Sequence, residues 1–197
     1  ANLNPFFNFH PWLYLFLVPA LAMRMWAEER KSGTIELLMT LPITRFESVV
    51  GKFLAAWVFA GIALLLTFPM VLTVNYLGDP DNGAILTGYL GSWLLVGAYL
   101  SVGSCMSALA KNQVIAFILT VSLCFLFVVS GFSLVLDVFN GWAPQWLLDV
   151  VASFSFLTRF QAISKGVIDV RDLLYFLSFI TAWLMATAVV IDLKKAD

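Results

Sequence analysis

The sequence predicts an all-α integral membrane protein, and three features carry that expectation: the composition, the length of the apolar runs, and the placement of the basic residues around them. Of 197 residues, 61% are hydrophobic and 12% charged, with a mean hydropathy of +0.94, far from the balance of a water-soluble domain. Apolar runs at 12–27, 53–77, 85–109, 114–136 and 173–193 approach or exceed the ~20 residues that a helix needs to cross a bilayer. Five such spans leave room for loops and short interfacial helices, so residues 1–197 read as one transmembrane domain. Lys+Arg 11 against Asp+Glu 12 gives a net charge of -1, which removes the electrostatic attraction that nucleic-acid binding requires. Cys105 and Cys124 lie inside apolar runs and lack the spaced companions of a metal site, so both read as packing residues.

Orientation follows from the positive-inside rule. Arg24, Arg30, Lys31, Arg45, Lys52, Lys111, Lys194 and Lys195 fall on one side of the predicted spans, which is therefore the cytoplasmic side. The opposite side holds the start of the chain, the loop with Asp79 and Asp81, and the stretch with Arg159, Lys165 and Arg171. The start is Asn-rich and aromatic without the basic region of a signal peptide. A chain that begins outside in this way is expected to lack one preceding span, giving a parent with six.

Between the first two spans, residues 28–52 are too polar to cross and too apolar to float free, so they belong in the headgroup layer. Gly33 and Thr34 can open a helix with Glu36 in its first turn, where the helix dipole favours an acid. Pro42 ends that helix, because the residue before a proline is driven out of the α region. Thr44, Arg45, Phe46 and Glu47 then spell a capping box. The expectation is an elbow: a surface helix, a break at Pro42, and a new helix over 45–77 that at 1.5 Å per residue is on the order of 50 Å long. Pro69 should kink this helix and Pro19 the first span, either as ordinary membrane-helix irregularity or as gating hinges.

In the third span Gly97 with Ser101, Gly103 with Ser107, and Ser104 with Ala108 are small residues four apart, the spacing that lets helix backbones approach closely in lipid. Further along, Trp146, Leu147, Val150, Val151, Phe154 and Leu157 recur at helical spacing, while Asp149, Arg159 and Lys165 argue against crossing. An external amphipathic helix that lies in the outer leaflet or re-enters it fits both facts.

Ionisable side chains cluster at the span ends, which gives an ion-coupled pump little to work with. No phosphate-binding loop or HExxH motif occurs. His10, the single histidine, is expected to be an exposed interfacial residue. The energy for any transport must then enter from outside the chain, and the charged elbow at 28–42 is the natural port of entry.

The run Glu28, Glu29, Arg30, Lys31, Ser32, Gly33, Thr34, Ile35, Glu36, Leu37, Leu38, Met39, Thr40, Leu41, Pro42 resembles the E-(R/K)-x-x-G-T-x-E-x-L-x-x-x-P segment of ABC-2 type transporter permeases. The resemblance continues through Gly51, Lys52 and Phe53, through Asn112, Gln113, Ala116 and Phe117, and through Phe160 and the run from Gly166 to Asp172. It is strongest toward permeases associated with gliding motility, which also resemble the permease of the nitrous-oxide-reductase maturation transporter. It implies a six-span permease of the bacterial inner membrane, without a catalytic site or cofactor of its own. Such a permease pairs with a second copy or a relative and with two P-loop ATPase subunits that carry ATP and Mg. It further implies that Glu28, Glu29, Arg30, Gly33, Thr34, Glu36, Leu37 and Pro42 form the coupling element. Trp146, Phe154, Phe160, Gly166, Asp169 and Arg171 would mark the external re-entrant element. Where many relatives have a histidine before the phenylalanine, this chain has Arg159.

Three functions stay open at the level of sequence. One is ATP-driven export or extraction of a substrate. Another is an ATP-driven anchor for an extracytoplasmic accessory protein, without solute transport, and the third is an ATPase-independent secondary transporter.

Overall fold

A computed structural model describes residues 3–40, 42–132, 135–137 and 144–194, without the side chains of Glu36, Leu38 and Met39. Leu41, Gly141 and Lys195, which bound the predicted elbow, external stretch and basic tail, lie outside the described residues. Helices run in the order α1 (Asn4–Ala22), α2 (Ala27–Ser32), α3 (Thr34–Met39), α4 (Arg45–Leu65), α5 (Phe68–Leu77), α6 (Asn82–Leu109), α7 (Gln113–Val129), α8 (Gln145–Ser153), α9 (Phe156–Ser164) and α10 (Val170–Leu193). Among the described residues, Asn4–Ser32, Arg45–Leu77, Asn82–Leu109 and Val170–Leu193 are long and apolar enough to cross a membrane. The fold is an all-α, multi-pass membrane architecture.

Helix α6 is the axle. Of its most apolar stretch 78% is buried, with α1, α4, α7, α9 and α10 packed around it. In lipid the hydrophobic effect does not drive helices together, so close approach and hydrogen bonding decide which helix is central. A Cβ at Gly97 would stand 2.9 Å from both Ile180 of α10 and Trp57 of α4, and one at Gly103 would run into Ala22 of α1. Three of the buried hydroxyls in this core are satisfied within their own helices: Ser92 donates to Gly88 O at 2.8 Å, Ser101 to Ala98 O at 2.8 Å and Thr187 to Trp183 O at 2.8 Å.

Several expectations need correction. The first helix starts at Asn4 rather than at residue 12, because Pro5 can occupy its first turn without losing a needed donor and Phe7 is buried. His10 is therefore not interfacial: it is 5% exposed, inside the bundle. The helix continues through Pro19 and breaks at residues 23–26. Pro69 does interrupt its helix, but the break falls just before it, at Leu66 and Thr67, so that the proline sits in the first turn of α5. The predicted span at 114–136 is a helix of 17 residues, Gln113–Val129, about 25 Å long. It stops where Gly131 packs against the Ser155 side chain. The external stretch is two helices, α8 and α9, bent by 57°.

The capping box of the elbow forms as expected, but the surface helix is two, α2 and α3, which meet at Gly33. Gly33 ends α2 at φ 73°, a left-handed conformation that glycine adopts without strain. Thr44 and Glu47 make both bonds of the capping box, Thr44 N to Glu47 Oε2 at 2.7 Å and Glu47 N to Thr44 Oγ1 at 3.2 Å. Among the described residues, basic side chains assigned to one side gather at one end. Lys52 pairs with Glu29, Arg45 with Asp192, and Lys194 donates to Leu109 O. Opposite, the start of α1, the α5–α6 turn and the end of α9 meet around a cavity of about 210 Å³ lined in part by Asn4, Asp81 and Lys165.

Candidate coupling site at the basic end

The break between α1 and α2 leaves the first N–H groups of α2 without helical partners, and no side chain of its own segment caps it. Ser107 of α6 supplies the cap from another helix. Its Oγ accepts from Trp26 N and Ala27 N, each at 3.0 Å, and donates to Met23 O at 2.9 Å. Trp26 is fully buried, and its indole N–H donates to Ser104 Oγ at 3.1 Å. From α4, Lys52 reaches over the Trp26 ring at 4.3 Å, donates to Met25 O at 2.9 Å and pairs with Glu29. Desolvation strengthens a cation over an aromatic face. Arg30 Nη2 extends to Lys194 O, 3.4 Å away at the end of α10. One joint thus ties α2 to α4, α6 and α10.

The predicted coupling residues divide into two sets. Glu29 and Arg30 turn inward as anchors, whereas Glu28, Gly33, Thr34, Leu37 and Pro42 are exposed. Leu37 is 68% exposed, and Ile43 and Phe46 beyond Pro42 are exposed as well. Ser32 and Thr34 hydroxyls meet at 2.9 Å across Gly33, fixing the corner between α2 and α3. Glu36 lies in the first turn of α3, with its side chain outside the described residues.

The predicted packing residues Gly97, Ser101, Gly103, Ser104 and Ser107 are all buried. Ser104 and Ser107 belong to the joint, and Gly97 belongs to a clasp that sequence reasoning missed. Trp57 of α4 and Trp93 of α6 stack with centroids 4.2 Å apart and planes 11° apart. Each indole donates to the other residue's carbonyl, Trp57 Nε1 to Trp93 O at 2.9 Å and Trp93 Nε1 to Trp57 O at 3.3 Å. Each ring also lies over the other helix's glycine: a Cβ at Gly61 would stand 2.8 Å from Trp93 Nε1, and one at Gly97 2.9 Å from Trp57 Nε1. The signal was available, since Trp57 precedes Gly61 and Trp93 precedes Gly97 by the same four residues.

The six residues proposed for the re-entrant element do not form one cluster. Trp146, Phe154 and Arg171 are exposed, Phe160 is fully buried, Gly166 makes the turn after α9 at φ 91°, and Asp169 caps α10 by accepting from Arg171 N at 2.9 Å. The groups that hold the bend are Arg159, Asp172 and Tyr175. Arg159 Nη1 donates to Asp172 Oδ1 at 2.7 Å and its Nε to Ser153 O at 3.1 Å, while the guanidinium lies 4.3 Å over the Tyr175 ring. Tyr175 OH donates to Phe154 O at 2.8 Å. Of the charges that argued against crossing, Arg159 is paired at the helix corner, with Asp172 at the start of α10.

Comparison with known proteins agrees with this architecture. A family described as ABC-2 family transporter protein matches residues 12–193. The probable multidrug ABC transporter permease YbhS of Escherichia coli is 31% identical over 113 residues, 56% of this chain and 29% of the relative. The inner membrane transport permease YhhJ of the same species is 34% identical over 89 residues, 43% of this chain and 22% of the relative. The probable ABC transporter permease protein NosY of Pseudomonas aeruginosa is 31% identical over 111 residues, 51% of this chain and 40% of the relative. The chain thus matches less than half the length of each of these relatives. With the match running from the first helix to the last, the chain belongs to the ABC-2 transporter family.

Proposed function

We propose that this chain is a permease domain driven by a separate ATPase, with the exposed corner at Glu28, Gly33, Thr34, Leu37 and Pro42 as the docking face. The observation that carries the reading is the joint behind that corner. A short helical pair that merely covered the headgroups needs no buried tryptophan, no hydroxyl cap from the central helix and no ion pair to α4. With those contacts, a displacement of α2 is delivered to α4 and α6 together. The gathering of basic residues at this end supports its placement in the cytoplasm of a bacterium, with the chain in the inner membrane. A second permease copy or relative would complete the unit, two P-loop ATPase subunits would carry ATP and Mg, and the work done would be export or extraction of a substrate.

The test is a complex with the candidate P-loop ATPase. Gly33→Val forces a branched side chain into a left-handed corner, and with Glu36→Ala it should abolish stimulation of ATP hydrolysis while the chain still inserts in the membrane. Undiminished stimulation in the double variant contradicts the assignment.

A further inference from the structure

Helix α6 serves as a ruler of depth, running from Asn82 at the outer end to Leu109 at the basic end. Helix α7 climbs along its inner half, where a Cβ at Gly103 would stand 3.2 Å from Thr120. Helix α9 climbs along its outer half. The Phe156 ring at its start lies 5.4 Å from that of Tyr99, a Cβ at Gly91 would stand 2.9 Å from Ile163, and one at Gly166, just past its end, 3.9 Å from Ala84. The two helices meet where Gly131 packs on Ser155 and the Phe127 and Phe156 rings lie 5.1 Å apart. Counting along α6 from Leu109 to Tyr99, and along α7 from Gln113 to Phe127, places this meeting point about 15 to 21 Å from the basic end. That is near the middle of a hydrocarbon core ~30 Å thick. End to end, the 17 residues of α7 and the 9 of α9 reach about 39 Å. The 24 residues of α10 reach about 36 Å.

Helix α8 joins this column at the break, at 57° to α9. A helix end at such depth needs donors for its last carbonyls, because lipid offers none. Each carbonyl from Val150 to Phe154 has one. Val150 O accepts from Ser153 Oγ at 2.7 Å, Val151 O from Phe154 N at 3.3 Å and Ala152 O from Ser155 N at 3.2 Å. Ser153 O and Phe154 O take theirs from Arg159 Nε and Tyr175 OH, on α9 and α10. Arg159 also pairs with Asp172, so one guanidinium fastens α8, α9 and α10 together. Little else holds α8, in which Leu148 is the one buried residue.

We propose that α7 and α9 together make one membrane crossing, interrupted near mid-bilayer, and that Arg159 is the latch holding its outer half and α8 against α10. The interruption is then a hinge. Its two halves touch through side chains, without the continuous helical hydrogen bonds that stiffen an unbroken span, so α8 and the start of α9 can swing while α7 stays seated on α6. Release of Arg159 from Asp172 frees Ser153 O and loosens the corner. Helix α10 keeps its own seat, where Ile180 packs at Gly97. The device belongs to this chain and holds whether or not an ATPase docks at the basic end.

Hydrogen exchange of the full chain in phosphatidylcholine nanodiscs tests it. In the unaltered protein the amides of residues 151–158 should be protected. Exchange there as fast as in the turn at residues 78–81 places the corner in water and overturns the proposal, a comparison that needs no variant to fold. Arg159→Gln should accelerate exchange at 151–158 several-fold and leave α6 and α7 unchanged. Asp172→Asn should do the same to a smaller extent, since the guanidinium keeps its bond to Ser153 O. Acceleration that spreads equally through α7 shows one rigid unit and overturns the hinge, and unchanged exchange at 151–158 overturns the latch. Should Arg159→Gln fail to accumulate in the membrane, Tyr175→Phe, which removes the single bond to Phe154 O, is read against the same two criteria.

Discussion

Helices α6 and α4–α5 are both long enough to span a bilayer, yet 78% of the most apolar stretch of α6 is buried against 11% for Arg45–Leu77. The order is the reverse of what a water-soluble protein would give, because the more hydrophobic helix is the one left outside. Lipid solvates Leu and Phe as well as a protein interior does, so apolarity does not select the centre. Small side chains and hydroxyls do, and α6 concentrates them at Gly97, Ser101, Gly103, Ser104 and Ser107. By contrast α5 has no buried residue. Arg45–Leu77 is held to α6 by separate pins: the Trp57–Trp93 clasp, the Thr67 and Tyr89 hydroxyls at 2.7 Å, and the reciprocal amides of Asn75 and Asn82 at 3.0 and 3.1 Å. One helix is an axle and the other an arm, and the joint at Trp26 touches both.

The contrast is broken most severely by enlarging a glycine. Gly103→Leu drives a side chain into Ala22 and Thr120, which should cost about 3 kcal/mol or more and be visible as a large fall in the thermal midpoint or a failure to accumulate in the membrane. Gly51→Leu in α4, where a Cβ meets nothing within 4 Å, should leave the midpoint unchanged.

Ser107→Ala comes next. It leaves the N–H groups of Trp26 and Ala27 unpaired in a buried joint, an expected loss of about 2 kcal/mol, and it should depress stimulation of a bound ATPase more than ATPase binding. Equal loss of binding and stimulation would mean that Ser107 is a cap and nothing more.

The smallest effect belongs to the clasp. Trp57→Phe keeps a ring over Gly97 and removes one N–H donor, which should cost about 1 kcal/mol. Hydrogen exchange should accelerate in α4 and α5 and stay constant in α6. Acceleration spread evenly over both helices would show that the clasp is ordinary core packing.

What the sequence disclosed follows the range of the interactions. The elbow was legible because its determinants are local: Gly33, Pro42, and Thr44 with Glu47 act within a few residues of themselves. The small-residue stripe of α6 was legible as a surface for close approach, but its partners were not, since Gly97 meets α4 and α10 whereas Gly103 meets α1 and α7. His10 was misplaced because its burial depends on Ser92, 82 residues away. In the external stretch the helical spacing runs from α8 into α9, which hid the corner at Phe154 and Ser155. Ser155 does carry a local signal, accepting from Thr158 N at 3.5 Å as the cap of α9. Asp172 registered as a charge at a span edge and Arg159 as one that opposes crossing, and only the fold reveals that they are partners.

The axle-and-arm account is tested most directly by spin-label distances at the outer end, in the complex with the ATPase and with ATP added or withheld. Labels at Tyr76→Cys and Leu174→Cys report the arm against α10, and labels at Leu86→Cys and Leu174→Cys report the axle against the same helix. All three positions are exposed, and the native Cys105 and Cys124 are buried. The account predicts that ATP shifts the Tyr76 to Leu174 distance by several ångströms and leaves the Leu86 to Leu174 distance in place. Both distances moving by the same amount, or neither moving while ATP is hydrolysed, would contradict it.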